Sequence, residues 1–120
     1  MARDHRRLRM FQLADASVLA VYRVTRAFPA DERYTIQAHL RRAALSVVLN
    51  IVEGSARRST REYVNFLNIA NGSAAEACYL LSLAHRLGFV RELDSAPLLE
   101  QYSEICRGLQ TMIHTLEGRD

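Results

Sequence analysis

Lysine is absent from this chain: all 16 basic residues among its 120 are arginine. A lysine nucleophile or Schiff base is therefore excluded, and the net charge of +3 rests on guanidinium groups that stay protonated at any physiological pH. Proline and glycine are scarce, at two and five copies, too few for the turns of a sandwich or barrel, so a mostly helical chain is expected. Cys78 and Cys106 form no CxxC pair, and both fall inside apolar helical patterns, which suits reduced thiols in a cytoplasmic protein better than a disulfide framework. Long apolar runs are missing as well. The greasiest stretch, Ala43 to Val52, is interrupted by Ser46 and Asn50 and falls short of the roughly 20 apolar residues that cross a bilayer. With no clear cleavage site near the start, the expectation is a cytoplasmic protein with no membrane contact.

The catalytic signatures are missing too. There is no GxSxG elbow, no GxxxxGK[ST] loop and no GxGxxG after a strand, so acyl transfer and nucleotide hydrolysis lack their usual parts. His5, His39, His85 and His114 stand at no metal-ligand spacing, and no glutamate is followed three residues later by histidine, as a di-iron bundle requires. No catalysis, metal or cofactor is expected.

What is present is a composition, 49% apolar and 24% charged, that builds one modest globular core. Helix one is predicted over Leu8 to Ala27, where Phe11, Ala14, Val18, Val21, Tyr22 and Thr25 share a face and Phe28-Pro29 ends the run. Helix two is predicted over Thr35 to Ala56, with Ile36, Leu40, Ala43, Val47, Ile51 and Gly54 inward and Gly54 as a stop. Ser59 and Glu62 have the form of a capping box opening helix three. That helix turns Tyr63, Phe66, Ala70, Ser73, Ala77, Leu81 and Ala84 inward and is expected to stop at Gly88. Asp94 or Ser95 is the expected cap of helix four, with Pro97 in its first turn and Leu98, Tyr102, Ile105, Leu109, Met112 and Leu116 as a heptad seam. Short connections between such rods demand an all-α, up-down-up-down four-helix bundle over residues 8–120, preceded by a basic arm at residues 1–7.

Helix two carries more apolar surface than one bundle hides. Leu45, Val48, Leu49 and Val52 lie beside its inner face, and such strips on soluble proteins mark partner contacts. These four residues are the expected interface of a homo-oligomer.

The charge is uneven. Met1 to Arg61 carries 12 arginines against 5 acids, whereas Glu62 to Asp120 carries 4 against 8, so an anionic partner meets the first half. Arg57, Arg58 and Arg61 surround the free amides that open helix three, a phosphate-attracting arrangement. Arg3, Arg6, Arg7 and Arg9 form a second cluster, and Arg41 and Arg42 a third. Ordinary solvated polar surface remains the competing reading of each. On helix two Arg42, Ser46, Asn50, Glu53 and Arg57 line one side, and on helix three Asn65, Asn68, Gly72 and Glu76 make a comparable row with Ser73 beside it. A polar network of Ser46, Asn50, Glu53, Ser73 and Glu76 is expected to fix register, with Gly72 allowing close approach and Arg42 pairing with Glu76 across the helices or across a subunit boundary.

The run Phe28-Pro29-x-x-Glu32, then Leu40-Arg41-Arg42-Ala43-Ala44-x-Ser46-x-x-x-Asn50-Ile51-x-Glu53-Gly54, then Ser59-x-x-Glu62-x-x-x-Phe66-Leu67-x-Ile69-Ala70-x-Gly72-Ser73-x-x-Glu76 and Leu87-Gly88-Phe89, resembles the bacterial four-helix bundle proteins encoded in 23S rRNA intervening sequences. The resemblance implies a ring-shaped homopentamer of side-by-side bundles. It also links the chain to the accessory proteins of diversity-generating retroelements, similar pentamers that associate with nucleic acid and a reverse transcriptase. Val48 and Leu49 stand where the family often has a proline and a small residue, which makes helix two continuous and greasier here. Together the residues and the resemblance give a non-catalytic oligomer that binds RNA or another structured nucleic acid through Arg41, Arg42, Arg57, Arg58 and Arg61. The alternative is a protein-interaction scaffold for a nucleic-acid enzyme such as a reverse transcriptase.

Overall fold

The computed structural model describes residues 3–118; residues 1–2 of the expected arm and 119–120 of the expected bundle segment lie outside them. Four helices account for nearly all of it: α1 (Arg9–Thr25), α2 (Ile36–Ser55), α3 (Thr60–Arg86) and α4 (Glu92–Glu117). No strand occurs among the described residues. Each helix packs on two neighbours, α1 and α3 both resting on α2 and α4, so the short connections close an antiparallel four-cornered bundle 47 Å long and about 20 Å across.

Helix α2 is unbroken through Val48 and Leu49. It buries Leu40, Ala43, Ala44, Val47, Ile51 and Gly54 against the other helices, as its 3.6-residue period requires. The expected stop at Gly54 is corrected: this glycine is a helical residue, the last but one of α2, and α3 packs closely on it. A Cβ built there meets Phe66 Cβ at 2.9 Å and Tyr63 Cδ1 at 3.1 Å, so the absence of a side chain sets the α2–α3 distance. Gly72 is the reverse case. Expected to permit close approach, it faces open space with nothing within 4 Å of an added Cβ.

Helix α3 opens on Ser59, whose hydroxyl accepts from the Glu62 amide at 3.1 Å. The Glu62 carboxylate does not reach back to the cap amide; it accepts from the Ser59 hydroxyl at 3.0 Å. At the other end Gly88, at φ 80°, adopts the left-handed conformation that favours glycine. The Phe89 amide then donates to the Ala84 carbonyl at 2.9 Å and the Gly88 amide to His85 at 3.0 Å, a Schellman closure. It lays Phe89 against Phe28 of the opposite connection, with ring centroids 5.8 Å apart.

Helix α4 begins earlier than the caps at Asp94 or Ser95 imply. Arg91, in extended backbone, is the residue before the first turn, and Pro97 lies inside the helix. The Asp94 and Ser95 amides donate to the Arg91 carbonyl at 3.0 and 2.9 Å, and Arg91 Nε bonds Asp94 Oδ2 at 3.0 Å, so the added turn is held by its own ends. The buried seam runs Leu98, Tyr102, Ile105, Leu109 and then Ile113, leaving Met112 and Leu116 half-buried. A straight helix drifts by about 20° per heptad against a strict seven-residue repeat, which carries the seam off Met112.

Overpacking a fixed helix contact costs about 1–3 kcal/mol, and the helix propensity gained on replacing glycine, up to about 1 kcal/mol, only partly offsets it. Gly54→Ala is therefore expected to lower the urea midpoint with the m value unchanged. An unchanged or raised midpoint would show that this contact does not set the helix spacing.

Candidate nucleic-acid interface

The α2–α3 turn lies at the end of the bundle where the described chain also begins, because α1 and α2 run antiparallel. Residues 3–7 use that proximity. The Arg3 amide donates to the Ser55 carbonyl at 3.0 Å, its Nη1 donates to the Arg57 carbonyl at 3.1 Å, and its guanidinium lies 4.2 Å from the centroid of the Tyr63 ring, a cation–π contact. A 3₁₀ turn over His5–Arg7 follows, capped by Asp4, whose side chain accepts from the Arg6 amide at 3.1 Å. The Arg6 side chain bonds the same carboxylate at 3.0 Å and holds the Asp4 carboxyl below its ordinary range. The arginines of residues 3–7 and those of the α2–α3 turn, separate clusters in the sequence, thus occupy one end of the fold.

Three acids at this end have partners, whereas Glu117, which shares a groove with Arg61, forms no ion pair among the described residues. Asp4 bonds Arg6, Glu53 pairs with Arg57 one turn on and Glu62 accepts from Ser59. Arg57 is further occupied by the Phe66 ring, 5.2 Å from its guanidinium. Arg7, Arg58 and Arg61 are exposed and form no ion pair among the described residues. Arg61 borders an open groove of about 260 Å³ with Thr60, Val64, Asn65, Asn68 and Glu117. Guanidinium groups that are solvated and uncommitted are those that can exchange water for phosphate oxygens.

The five arginines expected to bind nucleic acid do not form one patch. Arg41 and Arg42 sit about 22 Å from Arg57 along α2, at 1.5 Å per residue. Arg41 is half-buried and engaged in holding the C-terminus of α1: Nε donates to Thr25 Oγ1 at 2.8 Å and Nη2 to the Tyr22 carbonyl at 3.4 Å, with the guanidinium 4.5 Å from the Tyr22 ring centroid. Gln37 adds a bond to the Thr25 carbonyl at 3.1 Å. A cation at a helix C-terminus satisfies orphan carbonyls and complements the dipole, so Arg41 has a structural task that its neighbours in sequence did not reveal.

Of the expected polar network, three members meet. Asn50 Nδ2 donates to the Ser46 carbonyl at 2.8 Å and lies 3.0 Å from Ser46 Oγ, which is 2.7 Å from Ser73 Oγ on α3. Glu53 turns to Arg57 instead. Glu76 is exposed, and no Arg42–Glu76 ion pair exists among the described residues. Asn65, Asn68, Gly72 and Glu76 all face outward, and Asn68 bonds its own helix at Val64. Leu45 and Leu49 are 38% and 58% exposed, with Val48 and Val52 half-buried beside them, and Ile69 of α3 is 51% exposed. The described residues contain no group of three or more His, Cys, Asp and Glu that could hold a metal ion.

The family model for the 23S rRNA-intervening sequence protein matches residues 6–111. The chain belongs to that family. Among solved structures it is similar to a protein of unknown function from the S23 ribosomal protein family of Bacteroides thetaiotaomicron VPI-5482, at 20% identity and a TM-score of 0.80, over 87% of this chain and 97% of that one. That likeness shows the bundle fold. No curated protein matches the chain. Among the described residues of this intervening-sequence protein, no helix is long and apolar enough to cross a membrane.

Removing a charged donor from a part-buried helix cap costs about 1–2 kcal/mol. Arg41→Met, which keeps the aliphatic stem, is expected to lower stability to urea by that amount; an unchanged midpoint would release Arg41 from its capping role.

Proposed function

We propose that this intervening-sequence family member is a non-catalytic homopentamer that holds structured RNA, in the cytoplasm, against the bundle end carrying Arg7, Arg58 and Arg61. The observation that supports this reading best is the docking of residues 3–7 on the α2–α3 turn, which doubles the density of arginine there while Asp4 and Glu53 are paired. Arg3, stacked on Tyr63, and Arg57, paired with Glu53, shape the end and contribute long-range charge. Phosphate contacts of this kind are individually weak and sequence-tolerant. Repetition in fixed geometry around a ring turns them into useful avidity.

Self-association is supported by the exposed strip of Leu45 and Leu49, with Ile69 also exposed on α3, which a second copy would cover; the number five comes from the resemblance alone. Arg42 and Glu76 are exposed on the same two helices, and as opposite charges they suit a pairing across the subunit boundary that fixes register. The likeness of this family to the pentameric accessory proteins of diversity-generating retroelements points the same way, toward nucleic acid and its enzymes.

Nuclease-treated protein is expected to bind a labelled structured RNA with an affinity that falls steeply with salt. Arg58→Glu combined with Arg61→Glu should weaken binding at least tenfold and flatten the salt slope by about 0.7–0.9 for each phosphate no longer neutralised. Binding that ignores both salt and charge reversal overturns the reading. A stoichiometric protein that copurifies after nuclease treatment, with no RNA bound, would favour a scaffold for a nucleic-acid enzyme such as a reverse transcriptase.

The apolar strip is tested separately. Leu49→Asp should reduce the mass in solution from five times the 13.6 kDa chain to that of one chain, with the helical spectrum retained. A wild-type protein that already sediments as a monomer removes the ring.

A further inference from the structure

The groove beside Arg61 holds two charges that the fold does not use. It lies where α3 begins and α4 ends, between Thr60, Arg61, Val64, Asn65 and Asn68 of α3 and Glu117, the last residue of α4. Arg61 and Glu117 share this space of about 260 Å³, yet neither forms an ion pair among the described residues. Each also stands against its own helix. The positive pole of a helix is its N-terminus and the negative pole its C-terminus, so a guanidinium at the second position of α3 and a carboxylate at the last position of α4 both oppose the dipoles of the helices that carry them. Opposite charges set against helix stability and left unpaired in one groove are a local inconsistency of the kind that marks functional sites.

A ligand that satisfies both groups offers acceptors to the guanidinium and donors to the carboxylate. The space is smaller than the roughly 300–1,000 Å³ of a site for a drug-sized molecule, which suits one planar base. Among the RNA bases only guanine sets two parallel donors, N1–H and the N2 amine, beside the acceptor O6, with N7 as a second acceptor. A carboxylate takes both donors together and a guanidinium fork takes the acceptors, whereas adenine, cytosine and uracil each present the carboxylate with a single donor group. Val64, buried at this point of α3, gives the ring face an apolar floor. Asn68, whose Nδ2 donates to the Val64 carbonyl at 3.1 Å, is held beside it as polar wall.

We propose that this groove reads an unpaired guanine of the bound RNA, Glu117 accepting from N1–H and the N2 amine while Arg61 donates to O6 and N7. The assignment rests on RNA binding at the same end of the bundle and gives that binding a base preference. Arg7 and Arg58 are left to the phosphates, and Arg61 turns from backbone to base. A guanine within a duplex has its pairing edge occupied, so the groove selects loops, bulges and ends, where RNA exposes that edge. Glu117 separates this role from simple electrostatics. A carboxylate that reads nothing only repels the RNA, so its removal strengthens binding to every sequence; a carboxylate that reads guanine is missed by guanine alone.

The test uses the full-length protein and three labelled RNA hairpins, identical except that one position of a uridine loop carries guanine, inosine or adenine. Inosine lacks only the N2 amine of guanine. The wild-type protein should bind the guanine hairpin about tenfold more tightly than the adenine one, the size of one good bidentate contact, with inosine between them. Glu117→Gln, at an exposed position, should keep the helical spectrum and erase the preference, weakening the guanine hairpin while the adenine hairpin binds as before or more tightly. Equal, salt-dependent affinity of the wild type for all three hairpins overturns the guanine site and leaves RNA binding at this end in place. A Glu117→Gln variant that gains the same factor on every hairpin shows the carboxylate to be a repelling charge only, and overturns it as well. Failure of every hairpin to bind at low salt removes the site together with the RNA reading beneath it.

Discussion

The close contact of α2 with α3 at Gly54 is the constraint on which the rest depends. With no Cβ at that position, the α3 backbone carrying Tyr63 and Phe66 comes in until those side chains touch the α2 main chain. Three things follow from the distance so set. The Ser46 and Ser73 hydroxyls reach each other along the same interface, the turn after Ser55 is held tight enough to be closed by the Ser59 cap, and Tyr63 is left with its ring beneath Arg3. The basic end of the bundle is in this sense a product of a missing methyl group several residues away.

Arginine does three different jobs in this chain, and residue type does not tell them apart. Arg41 is a helix cap, inward and committed to the carbonyls of α1. Arg3 and Arg57 lie on aromatic faces, where the planar guanidinium both buries apolar surface and keeps its charge near solvent. Arg7, Arg58 and Arg61 are left to the surface. At the basic end Asp4 and Glu53 are paired and Glu62 is bonded to Ser59, while Glu117 beside Arg61 is not, so the potential there follows from the uncommitted groups rather than from the total count of arginines, within a screening length of roughly 8–10 Å.

Much of this was legible in the residues. The four helices follow from apolar periodicity, the Ser59 cap from its spacing to Glu62, and the stop at Gly88 from glycine after an amphipathic run. The misplacements share a cause, in that each depends on a neighbour that sequence spacing does not name. Gly54 reads as a terminator until α3 is set against it, and Gly72 as a contact until it is found facing solvent. Pro97 reads as a first-turn residue until Arg91 and Asp94 are seen to hold an extra turn before it. Arg41 and Arg42 read as one basic pair, yet adjacent residues on a helix point about 100° apart, so one caps α1 and the other faces out. The union of the N-terminal arginines with the α2–α3 turn did have a signal: in an up-down bundle the start of helix one and the end of helix two share an end.

The proposed RNA site at the basic end is the central claim, and hydrogen exchange of the protein with and without a structured RNA, read at peptide resolution, tests it directly. RNA held at the basic end should slow exchange at residues 3–9 and 55–63, with the opposite end, Phe28–Tyr34 and Leu87–Arg91, unchanged. Protection concentrated at that opposite end, or along Arg41 and Arg42, would contradict it.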